Sequence, residues 1–217
     1  MKLLENKSLT REQWLSLAKN ELTSKVFKLS EVTSKMGNEI DVPSDIKISC
    51  GFPPSGGKRT KNKTLGVCFN RESSKSNINE IFVSPVVEDS MRVLDILAHE
   101  MIHAIDDCKS GHKGTFRKIA KAIGLEGKMT ATTAGDWLKG ILEGIIKSIG
   151  KYPHAEVSTG GIKKQTTRMI KVSCTECEFS YRTSRKNIDL MTNYVCNSCG
   201  MESLEPEIKE DEWVNYF

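Results

Sequence analysis

His99-Glu100-Met101-Ile102-His103, followed nine positions later by His112 within Gly111-His112-Lys113-Gly114-Thr115-Phe116, is the stretch around which the rest of the chain is organised. The chain has four histidines, and three of them fall between positions 99 and 112. Two histidines four apart project from one face of an α-helix, because four residues make just over one turn and rise about 6 Å. Both imidazoles can then reach one zinc ion at about 2.0–2.1 Å, with Glu100 between them placed to work on a water held by that ion.

The flanking residues supply the helix this reading needs. Asp89 or Ser90 can cap it, and Leu94, Leu97, Ala98, Met101, Ile102 and Ile105 form an apolar stripe with His99 and His103 beside it. Gly111 is expected to stop the helix in a left-handed cap and let His112 turn back as third ligand, leaving a fourth position for water. Glu100 then has the place of a general base, taking a proton from that water and handing it to a leaving amine. Asp106 and Asp107 are candidates to accept a ligand's second ring N–H, or are polar residues at a helix end.

Upstream, Thr10-Arg11-Glu12-Gln13 has capping-box form, and the spacing of Trp14, Leu15, Ala18, Leu22, Leu29 and Val32 predicts one long helix or two shorter ones ending near Gly37. Ile46–Phe52, Thr64–Phe69 and Asn79–Ser84 alternate like strands, and their short connections predict a small antiparallel three-stranded meander. Cys50 and Cys68 fall in these strand patterns as apolar residues rather than ligands. The first connection is basic, with Lys58, Arg59, Lys61 and Lys63, and reads as a solvated loop or a phosphate contact. Downstream, Thr115 is expected to cap a helix carrying Phe116, Ile119, Ala120 and Ile123. Thr133-Ala134-Gly135-Asp136 is expected to open another, with Trp137, Leu138, Ile141, Leu142, Ile145, Ile146 and Ile149 on its apolar side.

Lys151 to Gln165 has linker composition and carries the fourth histidine, His154, expected to be solvated. Cys174-Thr175-Glu176-Cys177 and Cys196-Asn197-Ser198-Cys199, separated by 18 residues, have the spacing of a four-cysteine zinc ribbon. Such a shell is closed and structural, and a module this small needs the staple to fold. Residues 163–199 carry seven Lys and Arg against three Asp and Glu, whereas residues 200–217 carry one against six. The basic part offers Lys171, Arg182, Arg185 and Lys186 to nucleic acid, with Tyr181 and Tyr194 among them to stack on bases; equally, the acidic tail could neutralise the ribbon.

Over 217 residues, 38% hydrophobic and 28% charged content describe a globular protein, and a net charge of +4 does not by itself demand nucleic acid. The first residues lack an apolar signal region and no run is long enough to span a membrane, so a cytoplasmic protein is expected, nucleoid-associated or in a phage-infected cell. Seven cysteines then bind metal or stay free. The expected class is α+β: residues 1–150 a zincin-like helical domain, 151–166 a linker, 167–203 the ribbon and 204–217 an acidic tail. A monomer is expected.

With its helical HExxH, the downstream Gly111-His112 and Phe116, and the four-cysteine ribbon, the chain resembles the SprT-like (Spartan-type) zinc metallopeptidases. The strand Ile81-Phe82-Val83-Ser84-Pro85 and the run Gly124 to Thr132 are also similar, the latter to members of phage and bacterial origin. It departs from the family in the shorter gap between His103 and His112 and in Lys113 where glycine is usual. The resemblance implies a peptidase acting on DNA-associated or DNA-crosslinked proteins, with one catalytic and one structural Zn2+ and with the ribbon binding DNA. The competing expectation is a non-proteolytic nucleic-acid-binding or transcription-associated adaptor whose histidine site is structural.

Overall fold

The computed structural model describes residues 9–54, 64–158 and 169–207. The basic connection at Lys58, Arg59, Lys61 and Lys63, the second half of the linker and the tail beyond Glu207 lie outside the described residues. Thr10 opens the first helix, α1 (Arg11–Leu22): its hydroxyl accepts from Gln13 N at 3.2 Å, and Gln13 Oε1 accepts from Thr10 N at 2.9 Å. Two donors that a helix start leaves unpaired are thereby satisfied. The chain continues through a π turn at Thr23–Phe27 into α2 (Ser30–Met36), which ends at Gly37 with φ 76°, a conformation that costs little only without a Cβ.

Three short strands follow: β1 (Lys47–Cys50), β2 (Gly66–Phe69) and β3 (Glu80–Val83). Their order corrects the expected antiparallel meander. β3 lies in the middle, parallel to β1 and antiparallel to β2, so the sheet is mixed and its order is β1-β3-β2. The physical reason is burial. Ile81 and Val83 are fully enclosed, whereas both outer strands are half-buried, so the most apolar strand takes the place where both backbone edges are paired.

Against this sheet lies α3 (Ser90–Ile105), capped by Asp89, whose side chain accepts from Arg92 N at 2.8 Å. α3 is buried nearly all round; Val93, Leu94, Leu97, Ala98, Met101 and Ile102 join one core with residues of α1, β3 and the helices that follow. It ends at Ile105, earlier than the expected stop at Gly111. The reversal is made by Asp107 and Cys108, at φ 55° and 62°, and Gly111 is a later left-handed position at φ 52°. α4 (Gly114–Ala122) starts before the expected cap Thr115; Ser110 Oγ instead accepts from Phe116 N at 3.2 Å. An antiparallel hairpin, β4 (Leu125–Lys128) and β5 (Ala131–Ala134), leads into α5 (Asp136–Ile149), whose N-cap Gly135 makes no side-chain bond.

Beyond α5, the first half of the expected linker is held down. Tyr152 is buried, its N–H donating to Ser90 Oγ at 2.9 Å, and His154 Nε2 lies 2.9 Å from Pro85 O. The chain divides into two units, residues 1–160 and 161–217. The second contains β6 (Ile170–Cys174), β7 (Ser180–Thr183), α6 (Arg185–Asp189) and β8 (Leu204–Pro206), with β6 central and antiparallel to both other strands. Its core is small: Ile170, Val172, Cys174, Ile188, Cys196 and Leu204. Among the described residues, no helix is long and apolar enough to cross a membrane.

Candidate metal centres

His99 and His103 stand on successive turns of α3, and the reversal after the helix returns His112 to them. His112 Nε2 lies 3.2 Å from His99 Nε2 and 3.3 Å from His103 Nε2. The three residues form a group that could hold a metal ion. Phe116 is the floor of the group: its buried ring stacks on His103 at 4.4 Å and meets His99 at 4.8 Å and His112 at 5.0 Å. Burial pushes the His99 imidazole down to about 3 and His103 to about 4, with neighbouring imidazoles adding to both, and burial lowers His112 as well. At neutral pH all three are therefore uncharged, which is the state that ligates a cation.

Orientation of His99 comes from a residue the sequence did not single out. Thr132 Oγ1 lies 2.8 Å from His99 Nδ1, fixing the ring with Nε2 toward the other two imidazoles. Thr132 is in β5, and two α3 residues hold β5 in place. The buried Asp95 accepts from Ala134 N at 2.8 Å, and Arg92 donates to Thr132 O at 2.9 Å and to Asp95 at 3.3 Å. The sequence reading placed Thr132 only at the end of the run Gly124 to Thr132 and attached no role to it. Neither of the two carboxylates proposed for such a role has a hydrogen bond to one of the three imidazoles among the described residues, although Asp106 Oδ1 is buried with no partner and the carboxylate acts on His103 electrostatically. Asp106 accepts from Ser110 N and Oγ, and Asp107 accepts from Arg71 N at 2.8 Å and Asn79 Nδ2 at 3.0 Å.

Glu100 is 6% exposed and lies under β2. Its carboxylate takes the N–H of Cys68, and a Cβ built on Gly66 would fall 2.6 Å from Glu100 Oε1, so only glycine allows this approach. Burial pushes the carboxyl up to about 8, with the nearby Cys108 adding to the shift and the Cys68 N–H opposing it. The group thus keeps a proton at neutral pH in the metal-free protein.

In the second unit, Cys174, Cys177, Cys196 and Cys199 come together as a second group that could hold a metal ion. Cys174 Sγ is 3.7 Å from Cys199 Sγ, and Cys177 Sγ is 3.7 Å from Cys196 Sγ. The Ser203 hydroxyl, 3.0 Å away, is the main influence bringing the Cys174 thiol down to about 6, and the Glu176 N–H assists. Of the residues expected to meet nucleic acid, Lys171 pairs with Glu207 at 2.7 Å and Arg185 with Asp189 at 2.9 Å, while Arg182 donates to Met169 O at 3.4 Å and Lys186 is exposed. Tyr181 and Tyr194 are packed partly against the ribbon core, which leaves Phe179 as the more exposed ring. No family model, curated protein or solved structure matches the chain.

Proposed function

We propose that the chain is a zinc-dependent metallopeptidase, that its substrates are proteins bound or crosslinked to DNA, and that the ribbon binds nucleic acid. The observation that carries this reading is the convergence of three uncharged imidazole Nε2 atoms on a helix that also bears Glu100. The donor spacing supports zinc. Ligands at about 2.0–2.1 Å on a tetrahedron lie about 3.3–3.4 Å apart for nitrogen, and at about 2.3 Å about 3.8 Å apart for sulfur. The imidazole pairs at 3.2 and 3.3 Å and the thiol pairs at 3.7 Å match those edges.

In this reading His99, His103 and His112 hold the catalytic ion, and Cys174, Cys177, Cys196 and Cys199 hold a structural one. Bound zinc supplies Lewis acidity, polarising the scissile carbonyl and making a water nucleophilic near neutral pH. With a cation held by the three imidazoles, Glu100 would lose the proton it keeps in the metal-free protein. As the carboxylate it would take that water's proton on one oxygen as attack proceeds, and then give it to the departing amine nitrogen. Phe116 and Thr132 keep the imidazoles from turning during both.

The test is cleavage of basic DNA-binding proteins by wild type and Glu100→Gln, with and without single-stranded DNA. Wild type is expected to cleave, and the variant to be slower by about 10²–10⁴-fold with its metal retained; equal rates would end the reading. One observation favours a non-proteolytic adaptor instead: the depth of Glu100 beneath β2, where its carboxylate is a partner for Cys68 N. That reading expects metal-dependent DNA binding and no cleavage by wild type.

A further inference from the structure

Cys68 and Cys108 belong to neither metal-ligand group, yet the fold brings them together beside Glu100. Cys68 is in β2; Cys108 is in the reversal that ends α3, where it and Asp107 both have left-handed backbone without being glycine. Such residues persist only where their surroundings hold them. Here Cys108 N donates to His103 O at 2.7 Å, and the Asp107 carboxylate is fixed by Arg71 N and Asn79 Nδ2. The result aims the Cys108 side chain at β2. Its sulfur lies 3.5 Å from Cys68 O, and the two thiols are close enough to shift each other's proton affinity, Cys68 upward and Cys108 downward. Both are half-buried, within reach of a molecule the size of peroxide. Cys50 is on the opposite outer strand, with Arg11 Nη1 3.7 Å from its sulfur.

We propose that Cys68 and Cys108 form a redox-modification site: a peroxide oxidises them to a disulfide that locks β2 over Glu100 and stops hydrolysis. The effect on hydrolysis rests on the metallopeptidase reading; the crosslink does not. The Cys108 sulfur, in the half-buried turn after α3, attacks one oxygen of hydrogen peroxide. The O–O bond breaks, water is released once the departing hydroxide takes up the thiol proton, and the sulfur becomes a two-electron-oxidised sulfenic acid. The Cys68 sulfur then attacks that sulfur: the S–S bond forms, the S–O bond breaks, and a second water leaves with the Cys68 proton. Two thiols and one peroxide give one disulfide and two waters, and a dithiol reverses the change. Locking follows from position. β2 already gives Cys68 N–H to the Glu100 carboxylate and has only a glycine hydrogen over Oε1, so a covalent tie from Cys68 to the end of α3 fixes that lid over the base.

The experiment treats the full-length, zinc-loaded protein with hydrogen peroxide in small excess, blocks free thiols, and maps the disulfides by mass spectrometry alongside cleavage assays. Expected are linked peptides containing Cys68 and Cys108, a loss of cleavage rate of about tenfold or more, and recovery with dithiothreitol. Cys108→Ser is expected to keep its rate under the same treatment within about twofold, as is Cys108→Ala should the serine fold poorly. Free, alkylated Cys68 and Cys108 after a peroxide-induced loss of rate would overturn the proposal, as would equal sensitivity of the variants and wild type. If the reduced wild type cleaves nothing, the metallopeptidase reading fails by itself. The lock is then decided by amide hydrogen exchange at Gly66–Phe69, where oxidation is expected to slow exchange about tenfold and unchanged exchange would refute it.

Discussion

Glu100 carries a cost in the metal-free protein that can be measured apart from any activity. Its carboxyl, raised to about 8 from an ordinary 4.5 mainly by burial, holds a proton in the folded state that the unfolded chain has already released. The folded state binds more protons between those values, so this contribution falls as pH rises through the window, by about 1.4 kcal/mol per pH unit, and levels off above it. Glu100→Gln removes the slope. The metal-free variant is expected to exceed wild type by about 3–5 kcal/mol at pH 8.5 and to match it near pH 4, as read from urea midpoints. His99 and His103, whose depressed values act in the opposite sense as pH drops below 6.5, are common to both proteins and cancel in the difference. Thr132 acts through His99, not on substrate. Thr132→Val should weaken metal binding about tenfold in a chelator competition while leaving the fold intact, and an unchanged affinity would show that the Nδ1 contact does not orient the ring.

Among the elements, α3 depends on the β4–β5 hairpin through Asp95, a buried carboxylate shared by Ala134 N and Arg92. Asp95→Ala would leave that N–H and the guanidinium without their partner, with an expected loss of about 2–4 kcal/mol in denaturant unfolding. α3 was legible because Leu94, Leu97, Ala98, Met101 and Ile102 recur with helical period and Asp89 stands at the cap. The ligand face was legible for the same reason, since His99 and His103 need only the helix to share a side. The hairpin was not: in Leu125–Lys128 only Leu125 is buried, which leaves no alternation to read. The sheet order was hidden too, because Lys47–Cys50 pairs with Glu80–Val83 across a long stretch of chain, and a strand's own residues do not name its partner. Thr132 was invisible as a functional residue because its role exists only once β5 is beside α3.

At the scale of the whole chain, the two units depend on metal unequally. The first has a broad apolar core running from Trp14 to Tyr152, whereas the second encloses little beyond Ile170, Val172, Ile188 and Leu204 around its cysteines. A chelator, or Cys174→Ser, is expected to abolish the calorimetric transition of the second unit and to leave that of the first in place, shifted by a few degrees at most in the Cys174→Ser case. A single transition lost as a whole would show that the units do not fold separately.

The Phe116 floor offers a gauge of this centre that needs neither metal nor substrate. Three imidazoles sit at different attitudes around one ring, from nearly parallel at 30° for His103 to steep at 70° for His112. The ring current of Phe116 must therefore displace their carbon-bound proton resonances by different amounts and in different senses. His154, 5.6 Å from Tyr152 and away from Phe116, supplies a fourth imidazole signal from the same molecule as an internal reference. Proton spectra would thus register a tilt of any one of the three rings even where the backbone does not move.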